Sequence, residues 1–203
     1  NLRYGIDGLQ VAIVAGIKRV GVSGSRWEYG DVRGVVHEDD ALRATSAFAA
    51  AKTALHYIGA ELSRKQGVDF IWARLFSVYG PGQKPHSLIP HLIERFRANM
   101  LPEIRTPKAT DDFVYVADVA RALALILEKH KTGQSSIYNI GSGKLSAVKD
   151  IVNQIYGKQM VRTSTTPGYY ADVSMIKREL GWKPIVPMSF GIRKTVQHSI
   201  GRK

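Results

Sequence analysis

Val68-Asp69-Phe70-Ile71-Trp72-Ala73-Arg74-Leu75-Phe76-Ser77-Val78-Tyr79-Gly80-Pro81-Gly82 is the run on which the fold turns. Val68–Leu75 is rich in β-branched and aromatic residues and too short for a helix, so it reads as a strand. The Gly/Pro content of Ser77–Gly82 marks the loop that follows. Upstream, Phe48, Ala51, Leu55, Ile58 and Leu62 recur at helical spacing between about Arg43 and Lys65, which predicts one long helix with a buried stripe. Before it, Lys18–Ser23 reads as a short buried strand entering a Gly/Ser turn, and residues 7–15 as a helix stopped by Gly16.

Short apolar runs alternating with amphipathic helices predict an α/β protein with a parallel sheet. After Gly82 the elements shorten. Helices are expected near 87–98, 117–129 and 146–156, a polar stretch at 102–112, a strand at Ser136–Ile140, and a final segment carrying Leu180-Gly181-Trp182-Lys183-Pro184. No internal repeat or low-complexity linker interrupts the chain. The simplest division is a half-sheet over residues 1–82 and a smaller lobe over 83–203, with some of the lobe's segments returning to the sheet.

The 203 residues, 44% of them hydrophobic, suffice for one sizeable core or a core plus a small lobe. No apolar run approaches the roughly eighteen residues of a membrane helix, and Asn1-Leu2-Arg3-Tyr4-Gly5 has no signal-peptide character, so neither membrane nor secretion is expected. The lack of cysteine excludes disulfides and thiolate chemistry and is compatible with a reducing cytoplasm, the default compartment. A net charge of +12 suggests an anionic substrate or a polyanionic partner. Nucleic acid would want basic residues clustered among stacking aromatics. Here they are spread, the nearest to clusters being Lys177-Arg178, Arg193-Lys194 and Arg202-Lys203, so no nucleic-acid partner is expected.

Ser23-Gly24-Ser25-Arg26-Trp27-Glu28-Tyr29-Gly30 and Phe48-Ala49-Ala50-Ala51-Lys52 are the candidates for chemistry. A serine at the carboxyl end of a strand and a lysine on the next helix mark the cleft where open α/β sheets bind ligands. Taken alone, they read more readily as a turn serine and a surface lysine.

In order, the chain then carries Arg74–Gly82, Leu88-Ile89-Pro90, Asp112-Phe113-Val114-Tyr115-Val116-Ala117-Asp118-Val119, Asn139-Ile140-Gly141-Ser142-Gly143 and Leu180–Pro184. In this layout it resembles the extended short-chain dehydrogenase family, specifically its NAD(P)-dependent nucleotide-sugar epimerases, dehydratases and reductases. The resemblance implies a partial Rossmann-type doubly wound parallel sheet with a small α/β substrate-binding lobe. It also implies NAD or NADP as cofactor, a nucleotide-sugar substrate, and a homodimer formed through the segments 7–15 and 43–65, where Ala47, Ala49, Ala50, Ala51 and Ala54 would permit close approach. In that family a lysine lowers the pKa of a tyrosine, which exchanges a proton with the sugar. By resemblance Lys52 is that lysine and also binds the cofactor ribose. Ser25 would bond the reacting sugar oxygen. Phe76 and Ser77 would lie near the nicotinamide, Ser77 also touching substrate, and Leu88 and Ile89 would cover the nucleotide.

Three departures qualify the likeness. The tyrosine position is Phe48, whose ring has no ionisable oxygen. Asp111 stands where the family commonly has an arginine gripping the diphosphate; an aspartate there is expected to repel phosphate, with Lys84, Arg105, Lys108 or Arg162 as candidate substitutes. No Gly-x-x-Gly-x-x-Gly follows a strand, so the dinucleotide-binding turn is absent from this sequence, and the natural protein is expected to be longer. The expected function is a nucleotide-sugar epimerase, dehydratase or reductase of deoxysugar or surface-polysaccharide synthesis. The alternative is a catalytically inactive nucleotide-sugar-binding paralogue or mutant, because of Phe48. No metal is expected.

Overall fold

The computed structural model describes residues 2–129 and 136–201, leaving the terminal pair Arg202-Lys203 outside. In chain order the elements are α1 (Leu2–Val14), β1 (Arg19–Ser25), a 3-10 turn (Arg26–Tyr29), β2 (Gly34–Val36), α2 (Ala47–Lys65), β3 (Asp69–Leu75) and β4 (Ser77–Tyr79). Then follow α3 (Leu88–Arg97), β5 (Thr110–Asp111), β6 (Phe113–Tyr115), α4 (Val116–Lys129), β7 (Ser136–Ile140), β8 (Ser146–Ala147), α5 (Val148–Tyr156), β9 (Tyr169–Ala171), α6 (Ser174–Leu180) and α7 (Met188–Gly201).

The central sheet is parallel in the order β1-β3-β7, with Val22 opposite Trp72 and Trp72 opposite Ile137. Because strand side chains alternate, β3 serves two layers at once. Phe70 and Trp72 pack with Leu9 of α1 and Leu55 of α2, whereas Ile71 and Ala73 pack with α4, α6 and Trp182 on the opposite face. Helices on both faces of a parallel sheet give the doubly wound Rossmann-type arrangement expected from the sequence. A second core joins α3, α5 and α7 through Leu92, Ile151, Val152 and Ile192.

The short paired strands tie these bodies together. β2 pairs with β9, β4 with β6, and β5 with β8. Several residues of the sequence motifs serve as cross-links at these junctions. The buried Asp112 carboxylate accepts N–H bonds from Ser142, Gly143 and Ala171, fastening the β7–β8 turn to β9. Asp118 accepts from Ile185 and Val186, and its carbonyl takes the Trp182 indole N–H at 3.0 Å. Asn139 donates to the Val36 carbonyl and accepts from the Tyr29 hydroxyl, joining β7 to β2 and the 3-10 turn. Buried polar groups paired in this way pin one arrangement of loops, since leaving any of them unpaired would be costly.

Candidate functional site

The site is built from the carboxyl end of β1. Ser25 is extended and caps the 3-10 turn; its Oγ accepts the Trp27 N–H at 3.3 Å, and Glu28 Oε1 accepts the Ser25 N–H at 2.6 Å. Glu28 is wholly buried. Its carboxylate also accepts the Trp72 indole N–H at 3.0 Å and the Arg74 Nε–H at 3.1 Å, while Arg74 Nη1 reaches the Tyr29 hydroxyl and the Glu38 carbonyl. Burying this ion pair is tolerable because hydrogen bonds surround both charges. A Cβ at Gly24 would collide with the Trp72 indole and the Glu28 carboxylate, so the close approach of strand and carboxylate requires glycine there.

α2 supplies the next group. The Ser46 hydroxyl accepts the Ala49 N–H at 3.2 Å and starts the helix, placing Phe48 in its first turn and Lys52 one turn later on the same face. Lys52 Nζ donates to the Ser23 carbonyl at 2.6 Å, which holds it against the end of β1. Burial pushes its pKa below the ordinary value, and the negative charge of Glu28 opposes that shift. Phe48 is 44% exposed, and its ring offers no acid or base.

A third group lies beside Ser25. Ser77 Oγ donates to Asp111 Oδ2 at 2.6 Å, and Arg26 Nη2 donates to the same oxygen at 2.8 Å. The remaining Asp111 oxygen accepts the Asp112 N–H. Burial raises the Asp111 pKa, opposed by the Arg26 charge and these hydrogen bonds. The expectation of a bare, phosphate-repelling Asp111 is thus replaced by a carboxylate already engaged by a cation. That cation is Arg26, which sequence reasoning passed over. The signal was there, an arginine adjoining the candidate serine and a carboxylate where the family has an arginine, but only the fold brings positions 26 and 111 together.

The Arg26 guanidinium lies 4.2 Å from the Trp27 ring centroid and 5.0 Å from that of Tyr169. It borders a cleft of about 360 Å³ with Arg33 and Asp31. That cleft shares Thr110, Thr166, Pro167 and Gly168 with a neighbouring cavity of about 490 Å³ carrying Arg105 and Lys108. Lys84 and Arg162 are exposed, Arg162 bonding Gln159.

Of the sequence candidates, Lys52 bonds the Ser23 carbonyl two residues before Ser25, and Ser77 shares Asp111 with Arg26, the residue after Ser25, so both are tied to the segment that carries Ser25. Phe76 is buried, its ring near those of Tyr29 and Tyr169. Leu88 and Ile89 open α3 and pack into the core of α3, α5 and α7. No cluster of three or more histidine, aspartate or glutamate side chains suited to a metal ion occurs among the described residues.

Comparison with known proteins now bears on this arrangement. Residues 1–141 match the NAD dependent epimerase/dehydratase family. The chain belongs to that family. Its motif order and fold are those of the extended short-chain dehydrogenases. Among curated epimerase/dehydratase relatives, the dTDP-glucose 4,6-dehydratase of Salmonella typhimurium is 30% identical over 178 residues, 79% of this chain and 49% of the relative. The chain spans about half the length of such relatives. Among solved structures, MoeE5 in complex with UDP-glucuronic acid and NAD is 28% identical with a TM-score of 0.83, over 95% of this chain and 68% of that one. TunA, an NAD-dependent NDP-hexosamine 5,6-dehydratase, is 23% identical with a TM-score of 0.85 and agrees in fold over the whole chain and 70% of its own. These relatives lend nothing to the alternative of an inactive paralogue.

Proposed function

We propose that the protein is an NAD-dependent enzyme acting on a nucleotide-linked sugar, by epimerisation, dehydration or reduction, in deoxysugar or surface-polysaccharide synthesis. The observation that carries this reading is the placement of Lys52 and Ser25 at the carboxyl end of β1, where the residue after Ser25, Arg26, lines a cleft together with Arg33. Relatives described as dTDP-glucose dehydratases, and a neighbour holding UDP-glucuronic acid and NAD, support it. In this reading residues 1–82 form the cofactor side and 83–203 mainly the substrate lobe.

The donor set suits the nicotinamide end of a dinucleotide. Lys52 offers an ammonium held by the Ser23 carbonyl, and the Ser25 hydroxyl, whose oxygen accepts from Trp27, keeps its own proton to donate. When bound, NAD supplies the hydride acceptor. Lys52 would hold the ribose and Ser25 would orient the sugar oxygen that changes oxidation state; Phe76 and Ser77 would sit near the nicotinamide, with Ser77, Leu88 and Ile89 on the substrate side. Phe48 leaves the usual phenolic proton carrier missing, so turnover is expected to be slow.

The partner we propose is a second copy. α1 and α2 pack together and carry exposed Tyr4, Val11, Tyr57 and Ile58, apolar surface suited to a helical dimer interface. No helix among the described residues is long and apolar enough to cross a membrane, and the cytoplasm is the proposed compartment. The enzymatic reading is tested by incubating the protein with NAD and a panel of dTDP- and UDP-hexoses and identifying products by mass spectrometry. Conversion that Lys52→Met abolishes is expected. No conversion by either the wild type or Phe48→Tyr would contradict it.

A further inference from the structure

The cleft beside Ser25 has an unusual charge design. Arg26, Arg33, Arg105 and Lys108 line it and the adjoining cavity, with Asp31 as the acidic residue of the lining and Asp111 behind Arg26 as its ion-pair partner. Arg26 differs from the other three cations in being fixed. Its side chain is only 11% exposed and lies close to the rings of Trp27 and Tyr169. Asp111 takes one of its several N–H donors, through Nη2. Asp111 is in turn held on both oxygens, because Oδ2 also accepts from Ser77 and Oδ1 from the Asp112 N–H. A guanidinium held by one carboxylate and by stacked rings has little side-chain entropy left to lose, and its planar fork suits a second oxyanion. It is also the residue that directly follows Ser25.

Resting on the nucleotide-sugar reading above, we infer that Arg26 is the anion-recognising residue of this cleft, clamping an oxyanion of the substrate, with Asp111 and Ser77 as the bracket that positions it. The oxyanion is either the diphosphate or a carboxylate on the sugar; both present paired oxygens to the same fork. The two sources predict different selectivity. A diphosphate clamp acts on every nucleotide sugar alike, whereas a carboxylate clamp selects uronic acids. Arg105 and Lys108, in the adjoining cavity, add a diffuse positive field and no fixed geometry.

Isothermal titration with pyrophosphate, uridine, UDP, UDP-glucose and UDP-glucuronic acid tests this in the wild type, Arg26→Leu, Arg26→Lys and Asp111→Asn. Arg26→Leu is expected to weaken the oxyanion-bearing ligands by on the order of 10-fold or more, with Arg26→Lys recovering part of the loss. Uridine, which has no charge, is expected to be unaffected in all variants, a result that a collapsed site would not give. Asp111→Asn releases the guanidinium from its internal partner and is expected to tighten anion binding a few-fold. Should Arg26→Leu fold poorly because Asp111 is left unpaired, the double variant Arg26→Leu/Asp111→Asn removes both charges and carries the same expectation.

Loss for UDP and both sugars identifies the diphosphate, and loss confined to UDP-glucuronic acid identifies the carboxylate; either supports the inference. Wild-type-like affinity of the leucine variants for all five ligands overturns it while leaving the nucleotide-sugar reading intact. Pyrophosphate binding that depends on Arg26, without any binding of UDP or UDP-sugars, sustains the anion site and overturns the nucleotide-sugar reading instead.

Discussion

Replacing Glu28 by glutamine keeps the side chain's size and one oxygen for the Ser25 N–H, but removes the charge opposite Arg74. Both side chains are almost completely buried, 0% and 2% exposed, with Nε and Oε2 3.1 Å apart. The glutamine amide must also turn its NH2 toward a neighbouring donor, since the carboxylate now accepts from Ser25 N, Trp72 Nε1 and Arg74 Nε. Removing one partner of a buried pair costs about 3–5 kcal/mol, and the glutamine's retained oxygen puts this change near 3. With a urea slope of about 2 kcal/mol per molar, the unfolding midpoint drops by roughly 1.5 M. Adding Arg74→Met to Glu28→Gln should recover much of the loss, because it removes the stranded guanidinium, and the resulting cycle isolates the coupling. A midpoint shift under about 0.3 M, or a double variant no better than the single, would refute the reading of Glu28 and Arg74 as a buried pair in which each charge depends on the other.

Phe48→Tyr restores an ionisable ring one helical turn from Lys52 and is expected to raise the rate of nucleotide-sugar conversion on the order of 100-fold, read as product formed per time. Burial, with the Arg74 charge behind it, depresses the His56 pKa from 6.5 to about 4, so its contribution to stability is complete above pH 6.5 and is lost as pH falls toward 4. His56→Phe, which preserves the stacking on Trp72, should flatten that acid limb in thermal melts taken across this window. Gly30 has φ 74°, and a Cβ there would run into the Arg43 carbonyl, so Gly30→Ala should destabilise by about 2 kcal/mol or more in denaturant unfolding. Tyr57→Asp places a charge on the exposed face of α2 and is expected to convert a dimer to a monomer in light scattering.

The elements legible in the sequence were those with a long, regular period. β3 fell where its composition put it, and α2 formed over the periodic run with two corrections: Ser46 starts it at Ala47 instead of near Arg43, and of the expected buried stripe Leu55 is buried whereas Phe48 and Ile58 are exposed, the inward face being carried by Ala49, His56 and Gly59 as well. The β2–β9 pair was not legible, because three-residue strands have no period and the partners lie far apart in the chain. α7 was missed for another reason. Its first turns contain Gly191 and its later ones β-branched residues, poor helix formers that tertiary contacts hold in place; a Cβ at Gly191 would meet the Tyr79 hydroxyl. At the site, Ser25 and Lys52 carried recognisable spacing. The roles of Glu28 and Arg26 did not, since each depends on a charge partner distant in sequence: Arg74 on β3, which pairs with β1, and Asp111 on β5, which pairs with β8. Asp111, read alone as a lost cation, is half of a pair whose other half is Arg26.

The most direct test of the account is an equilibrium titration of the protein, with NAD present, against UDP-glucose and dTDP-glucose on one side and a short DNA duplex on the other, at low and physiological salt. Saturable binding of a nucleotide sugar at both salt concentrations, with DNA binding absent or erased by salt, is the predicted result. Tight DNA binding with no measurable affinity for either nucleotide sugar would contradict it.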